Sequence, residues 1–331
     1  MFIVLVLPAA GQKRKYSKKK EADAKGTLFF YWGYNRSFYT KSNIQFQGSG
    51  YDFTMAGARA HDNPSKLGWH YLNPKSLTVP QFNIRIGYYI KNNWAISFGY
   101  DHLKYIFADQ NQVRLSGYIE PGLDTESNLS GNYDNVDYTT DRTNFHYENS
   151  DGLNYLRFEL TRSYQWYKTK SGWFGFTTNA SASAGALLSY NDFRFAGQND
   201  MRTISLSGYG LSAHLGLRFE FFQHVFLQAN YGGGFMHQVH VKTRPNDVSA
   251  YARHAYGFME MNVVIGALQN KTFPGRVTMI APKGKDENGT IKFPIEGDVF
   301  NKTNEYIRAG FSANGEIILS SQKNALLLDE A

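Results

Sequence analysis

Cysteine is absent from the 331 residues. Disulfides and thiolate chemistry are therefore excluded, and an oxidising compartment is open to the chain without bridges. Proline is scarce, with nine residues, and mean hydropathy is −0.46. No run of about 18 apolar residues exists, which excludes a transmembrane helix. A membrane is not excluded, because a spanning strand needs only about 9–11 residues and half of them can be polar. What is abundant is aromatic: 23 Tyr, 25 Phe and 5 Trp, alongside 31 Gly. That composition points to an all-β chain rich in turns and cross-strand aromatic contacts. The length suits one large domain or two smaller ones.

The net charge of +7 is not spread evenly, since Lys13, Arg14, Lys15, Lys18, Lys19 and Lys20 crowd one short segment. Such a run reads as a solvated tail, and with no RNA- or DNA-binding motif beside it no nucleic-acid partner is expected. Before it, MFIVLVLPAAG (1–11) has the apolar core and small-residue end of a secretory signal without the charged region that should precede it. The expected mature start is near Gln12, followed by a basic linker to residue 26.

Hydrophobic residues recur with a period of two. In QFNIRIGYYIKNNWAISFGYDHLKYIF (81–107), Phe82, Ile84, Ile86, Tyr88 and Ile90 alternate with Asn83, Arg85 and Gly87. After Lys91-Asn92-Asn93 the alternation resumes with Trp94, Ile96, Phe98 and Tyr100. Period two means strands with one apolar and one polar face. Eight such segments are predicted, at 27–36, 80–90, 94–107, 152–165, 173–188, 205–222, 225–238 and 255–267. Long polar links (37–79, 108–151, 189–204, 239–254) alternate with short ones (91–93, 167–172, 223–224). This layout predicts an eight-stranded antiparallel up-and-down transmembrane barrel, with the short turns and both chain ends on the periplasmic side of an outer membrane.

The faces decide which solvent lies outside. LSGYGLSAHLGLRFEFF places Tyr209, Leu211, Ala213, Leu215, Leu217, Phe219 and Phe221 on one face. The opposite face carries Gly208, Gly210, Ser212, His214, Gly216, Arg218 and Glu220. A soluble barrel would show Lys, Glu and Thr on its polar face. Small residues with isolated charges of both signs suit a narrow lumen instead, where charges must pair because burying one alone is costly. The apolar face is therefore predicted to meet lipid. Tyr31, Trp32, Tyr88, Tyr89, Trp94, Tyr100, Trp173, Tyr231 and Tyr256 are expected in interfacial girdles.

On FFYWGYNRSFYTKS (29–42), the VPQFNIRIGYYI and NNWAISFGYDHLKY pair (79–105) and the long Tyr/Asn/Asp-rich links, the span 27–267 resembles the uncharacterised outer-membrane β-barrel families of Bacteroidetes. The resemblance implies location and fold more than activity. After Gln269 the texture changes. FPGRVTMIAPKG (273–284), NGTIKFPIEGDV (288–299) and YIRAGFSANGEIIL (306–319) resemble blocks of the β-barrel domain of periplasmic adaptor (membrane fusion) proteins of RND efflux pumps. The last block is similar to that family's R-x-G-M-S-A turn. A periplasmic fusion at 268–331 is one reading, and a join of two genes near 267–270 is the expected one.

Chemistry is thinly signalled. Barrel enzymes that deacylate lipids carry an H-x-S-N-G-type run on one strand, and none is present here. Ser212 and His214 share a face two residues apart, as small-residue packing also produces. His237, His240 and His254 fall near one rim, but on a strand the first two point to opposite faces, against a shared metal. The strongest constellation is a lumen charge network of Arg85, Asp101, Arg157, Glu159, His214, Arg218, Glu220 and Glu260. It reads as an ion-pair plug rather than a conduit, because eight strands leave little interior space. Loops 37–79 (Tyr51, Phe53, His61, His70) and 108–151 (Tyr118, Tyr133, Tyr138, Tyr147) are expected to be exposed surfaces for glycans or envelope proteins. The expectation is a protein without catalytic activity or cofactor, structural or surface-interacting and contacting outer-membrane lipid, with transport through a narrow pore or the adaptor-like tail as the alternative.

Overall fold

The computed structural model describes residues 24–64, 81–126, 129–169, 172–269, 275–287 and 290–300. The expected signal, most of the basic linker, His70 and the 306–319 block lie outside them. In chain order the strands are β1 Leu28–Tyr39, β2 Ser42–Gly48, β3 Tyr51–Ala58, β4 Ala60–His61, β5 Phe82–Lys91, β6 Trp94–Phe107, β7 Gln112–Ile119 and β8 Gly131–Thr139. They continue with β9 His146–Lys168, β10 Phe174–Phe195, β11 Gln198–Phe221, β12 Val225–Lys242, β13 Tyr251–Gln269, β14 Gly275–Ile280, β15 Lys285–Glu287, β16 Thr290–Lys292 and β17 Ile295–Val299.

Eight of these close a ring in the order β1-β5-β6-β9-β10-β11-β12-β13, with β13 pairing back onto β1, and every pairing is antiparallel. All eight strands read from periodicity are present. The short turns after Lys91, Lys168 and Phe221 lie at one end, together with the start of β1 and the end of β13. The 189–204 segment is a correction. It is not a long loop: β10 and β11 run on as a hairpin closed by Ala196-Gly197, both at positive φ (55° and 69°). Two consecutive left-handed residues give a turn whose twist matches the flanking strands.

Around the turn end and middle of the barrel, polarity is that of a membrane protein. Ile86 (59%), Phe158 (71%) and Leu215 (68%) are exposed, whereas Arg85, Asp101 and Arg157 are buried. Tyr88, Tyr164, Trp166, Tyr167 and Trp173 gather on the outside near the short turns, where a girdle belongs. Three of the expected girdle residues do not join it. Tyr31, Tyr89 and Tyr256 are buried inside, because each shares strand parity with a lumen residue rather than with the apolar stripe.

Toward the other end the polarity reverses. Within links 37–79 and 108–151 lie strands β2, β3, β7 and β8, which extend the barrel sheet outward from β13 in the order β13-β2-β3-β7-β8. Their inward residues Ile44, Phe46, Phe53, Met55, Val113 and Leu115 pack with Phe145, Tyr147, Phe193 and Phe195 into one aromatic core. Phe46 alone contacts four rings at centroid distances of 5.2–5.4 Å. This end is built like a water-soluble β-domain, apolar inside. Tyr51, Phe53 and Tyr147, expected on exposed loops, are core residues, while Tyr118 remains exposed.

Lys271–Ala331 forms a separate compact unit. Its described strands make two small antiparallel pairs, β14-β17 and β15-β16, and every residue of β14 and β17 is exposed.

Candidate functional site

The lumen charges come from strands that are neighbours only in part, so the barrel's closure brings them together. Arg85 on β5 faces Asp101 on the adjacent β6 and grips both carboxylate oxygens, Nη1–Oδ1 at 2.6 Å and Nη2–Oδ2 at 2.9 Å. Asp101 also meets the Arg157 guanidinium of β9, Nε–Oδ2 at 2.8 Å, an ion-pair contact in which the N–H is not directed at the oxygen. From there the network crosses the lumen: Arg157 Nη2 lies 3.0 Å from Glu260 Oε1 on β13, and His214 Nε2 of β11 lies 2.5 Å from the same oxygen. Arg157 Nη1 donates to Ser212 Oγ at 2.7 Å, and Ser183 and Ser212 share a 2.7 Å hydrogen bond. Two guanidinium and two carboxylate groups balance in a buried layer. Such an arrangement holds only while every partner is present.

A second layer lies nearer the short turns. Arg218 Nε donates to Gln228 Oε1 at 2.6 Å and Nη1 to the Tyr89 hydroxyl at 2.8 Å. Its guanidinium rests 4.1 Å from the Phe226 ring centroid and 5.6 Å from that of Phe29, so aromatic faces meet its charge. Between the layers remains a void of about 20 Å³, bordered by Tyr31, Arg157, Glu159, His214, Arg218 and Asn262. That is room for about one water molecule. Above the first layer, Tyr105, Tyr147, Tyr256 and His254 pack edge-to-face or tilted at ring distances of 4.8–6.3 Å and close the lumen toward the loop end.

Of the eight residues read as one network, Arg85, Asp101, Arg157, His214 and Glu260 are joined directly. Arg218 belongs to the second layer. Glu159 lines the void and accepts from Thr161 at 3.3 Å, and Glu220 accepts from Thr177 at 3.5 Å nearer the turn end. Ser212 and His214 are both committed to the network, to Arg157 and Glu260 respectively. The three rim histidines diverge: His237 meets Tyr209 outside, His240 packs on Tyr251, and His254 is buried beside Ser42 and Tyr147. Among the described residues no His/Asp/Glu group of metal-site composition forms.

Gly99 is required by this packing. A Cβ there would stand 2.0 Å from Arg85 Nη1 and 2.2 Å from its Cδ. Gly99→Ala is expected to displace the Arg85–Asp101 pair and destabilise the barrel by about 1–3 kcal/mol, measured by urea unfolding in lipid vesicles.

Beyond the apolar belt, Glu148 accepts from Ser150 at 2.6 Å and lies 2.6 Å from His146 Nε2 and 3.4 Å from Arg142. Burial alone would raise its pKa. The hydrogen bonds and charges of His146, Ser150 and Arg142 outweigh burial and hold it at about 2, below the usual 4.5. A depressed carboxylate stabilises the fold above its unfolded pKa, and that contribution is lost as pH falls from about 4.5 toward 2. Protease accessibility of the loop-end domain should therefore rise across that window, and Glu148→Gln should flatten the dependence.

A closed eight-stranded ring with an apolar exterior, an aromatic girdle and a charged, filled interior defines a membrane-spanning β-barrel. No family model matches the chain, and no curated protein is significantly similar to it. Among solved structures, it is similar to the outer membrane protein OprG of Pseudomonas aeruginosa, at 10% identity over 76% of this chain and 99% of that one, TM-score 0.32. The N-terminal β-barrel domain of Pseudomonas aeruginosa OprF gives 8% identity over 74% and 98%, TM-score 0.27. The outer membrane protease OmpT of Escherichia coli gives 10% over 74% and 97%, TM-score 0.30. The last corrects one expectation. A protease stands among the neighbours, so the fold does not support reading the chain as lacking catalytic activity.

Proposed function

We propose that the protein is an outer-membrane barrel whose lumen is sealed, acting as a rigid base that presents its loop-end β-domain for surface interaction. The observation that carries this is the Arg85–Asp101–Arg157–Glu260–His214 layer, which spans the lumen with buried, mutually paired charges. The long-link end faces outward in this reading, and both barrel termini face the periplasm. The interaction surface is the outer face of β2-β3-β7-β8, whose last strand is exposed along most of its length. Envelope proteins or glycans are the partners it suits. The 268–331 segment keeps its adaptor-like reading as a proposal; strands with no buried face need partner strands to persist. In planar bilayers the full chain is expected to pass no steady current. A stable single-channel conductance from the unaltered protein would overturn the sealed-lumen reading and favour transport.

A further inference from the structure

The outer surface of the long β10-β11 hairpin carries a cleft of about 500 Å³, lined by Asp151, Tyr190, Arg202, Ile204, Lys242 and Pro245. Its size falls in the range of small-ligand sites, about 300–1,000 Å³. Two properties distinguish it from the rest of the surface.

The first is position. Tyr190 pairs with Ile204, and one step toward the membrane Leu188 pairs with Leu206. Ile204 (58%), Leu206 and Tyr209 are exposed on the outside and continue into the lipid-facing stripe of Leu211 and Leu215. One step in the other direction, Asp192 pairs with Arg202. The cleft thus straddles the level where the apolar exterior ends and charge begins, which on a membrane barrel is the level of lipid head groups.

The second is charge. Arg202 is 73% exposed and only loosely paired, 3.8 Å from Asp151 and 3.9 Å from Asp192. Pairs this long contribute little, least of all the one to Asp151, which is exposed on both sides and exchanges readily for a ligand. Lys242 donates to the Pro245 carbonyl at 3.0 Å, which holds its ammonium at the cleft wall. Asp151, 61% exposed and 3.8 Å from Arg202, adds a carboxylate to the same cleft. Two cations and a carboxylate about one cleft complement a zwitterion: a phosphate between Arg202 and Lys242, an ammonium at Asp151. A purely anionic ligand would leave Asp151 opposed.

We infer that this cleft seats the phosphoethanolamine head group of a membrane phospholipid, with the acyl chains running down over Ile204, Leu206 and Tyr209. The inference rests on the barrel spanning a membrane, and not on the lumen being sealed or on which side its loops face.

The test is native mass spectrometry of the full chain reconstituted from equimolar phosphatidylethanolamine and phosphatidylglycerol vesicles. The unaltered protein should retain phosphatidylethanolamine preferentially. Arg202→Ala and Lys242→Ala should each lower that retention about fivefold or more, the effect of one charge-assisted contact. Asp151→Asn should shift the preference toward phosphatidylglycerol, because only the ammonium partner is lost. Arg114→Ala, on the loop-end sheet, should change nothing. Free phosphoethanolamine added in excess should compete weakly, since it lacks the chains; strong competition would mean a soluble ligand and overturn the lipid assignment. Equal retention by the unaltered protein and Arg202→Ala, in preparations that both show the heat-modifiable band of an inserted barrel, would also overturn it while leaving the membrane reading intact.

Discussion

Replacing Arg157 with methionine should cost the barrel about 3–5 kcal/mol, the usual penalty for leaving a buried charge without its partner. Arg157 is the hinge of the lumen layer, in contact with Asp101 on one side and with Glu260 and Ser212 on the other. Its loss leaves Asp101 with Arg85 alone and Glu260 with only His214. Adding Glu260→Gln to Arg157→Met removes the stranded carboxylate and should restore a substantial part of the loss, whereas adding Asp101→Asn should not, because it strands Arg85 instead. This non-additivity, read by urea titration of the two double variants and the three single variants they combine, separates an ion-pair layer from three independent contacts. A second readout follows from size. Arg157→Ala vacates a level of the lumen where the void beside it measures only about 20 Å³, so it should admit a steady ion current where the unaltered protein passes none. An Arg157→Met barrel as stable as its parent, together with an Arg157→Ala barrel that passes no current, would sink the claim that this layer seals the lumen.

How far this was readable in the residues varies along each strand. The barrel's eight strands and their orientation were legible because lipid outside and charge inside impose opposite demands on alternate residues. Arg85 and Ile86 could not both face the same medium. Reading failed where the outer medium changes from lipid to water. In β10, Phe193 and Phe195 turn inward while Asp192 and Arg194 turn outward, so the period of two persists with its polarity inverted. A search for an apolar outer face registers that inversion as the end of the strand. The same inversion hid β2, β3 and β7, whose Ile44/Phe46, Phe53/Met55 and Val113/Leu115 alternations were present but lay among Tyr, Asn and Asp. Parity would have placed Tyr89 with Arg85 and Tyr256 with Glu260, inside rather than in the girdle. The partners across the lumen were less accessible: Arg157 and Glu260 stand on strands that are not neighbours, and no local pattern encodes the stagger that brings them together.

Ile86→Lys tests orientation directly. Ile86 is 59% exposed on β5, between Arg85, buried against Asp101, and Gly87, on which the Phe29 ring rests. It lies mid-strand, four residues before Ile90 at the turn end, so its side chain points into lipid well away from either interface. A lysine at the bilayer midplane of a barrel costs about 2–4 kcal/mol, falling to about 0–1 kcal/mol near the interfaces. Insertion into vesicles, followed by the heat-modifiable gel shift, should therefore be strongly impaired. Ile90→Lys, exposed on the same face but beside Lys91, should insert almost normally. Depth is what distinguishes these two substitutions, since chemistry and strand are shared. In a soluble barrel with its apolar face in water, both lysines would be harmless and both variants would fold without lipid. A soluble, folded Ile86→Lys protein would mean that the outside of this barrel is water and that its charged interior serves a different purpose. Impairment of Ile86→Lys alone would fix the lipid belt to the middle of β5 and, through the pairing register, to the same level on the other seven strands.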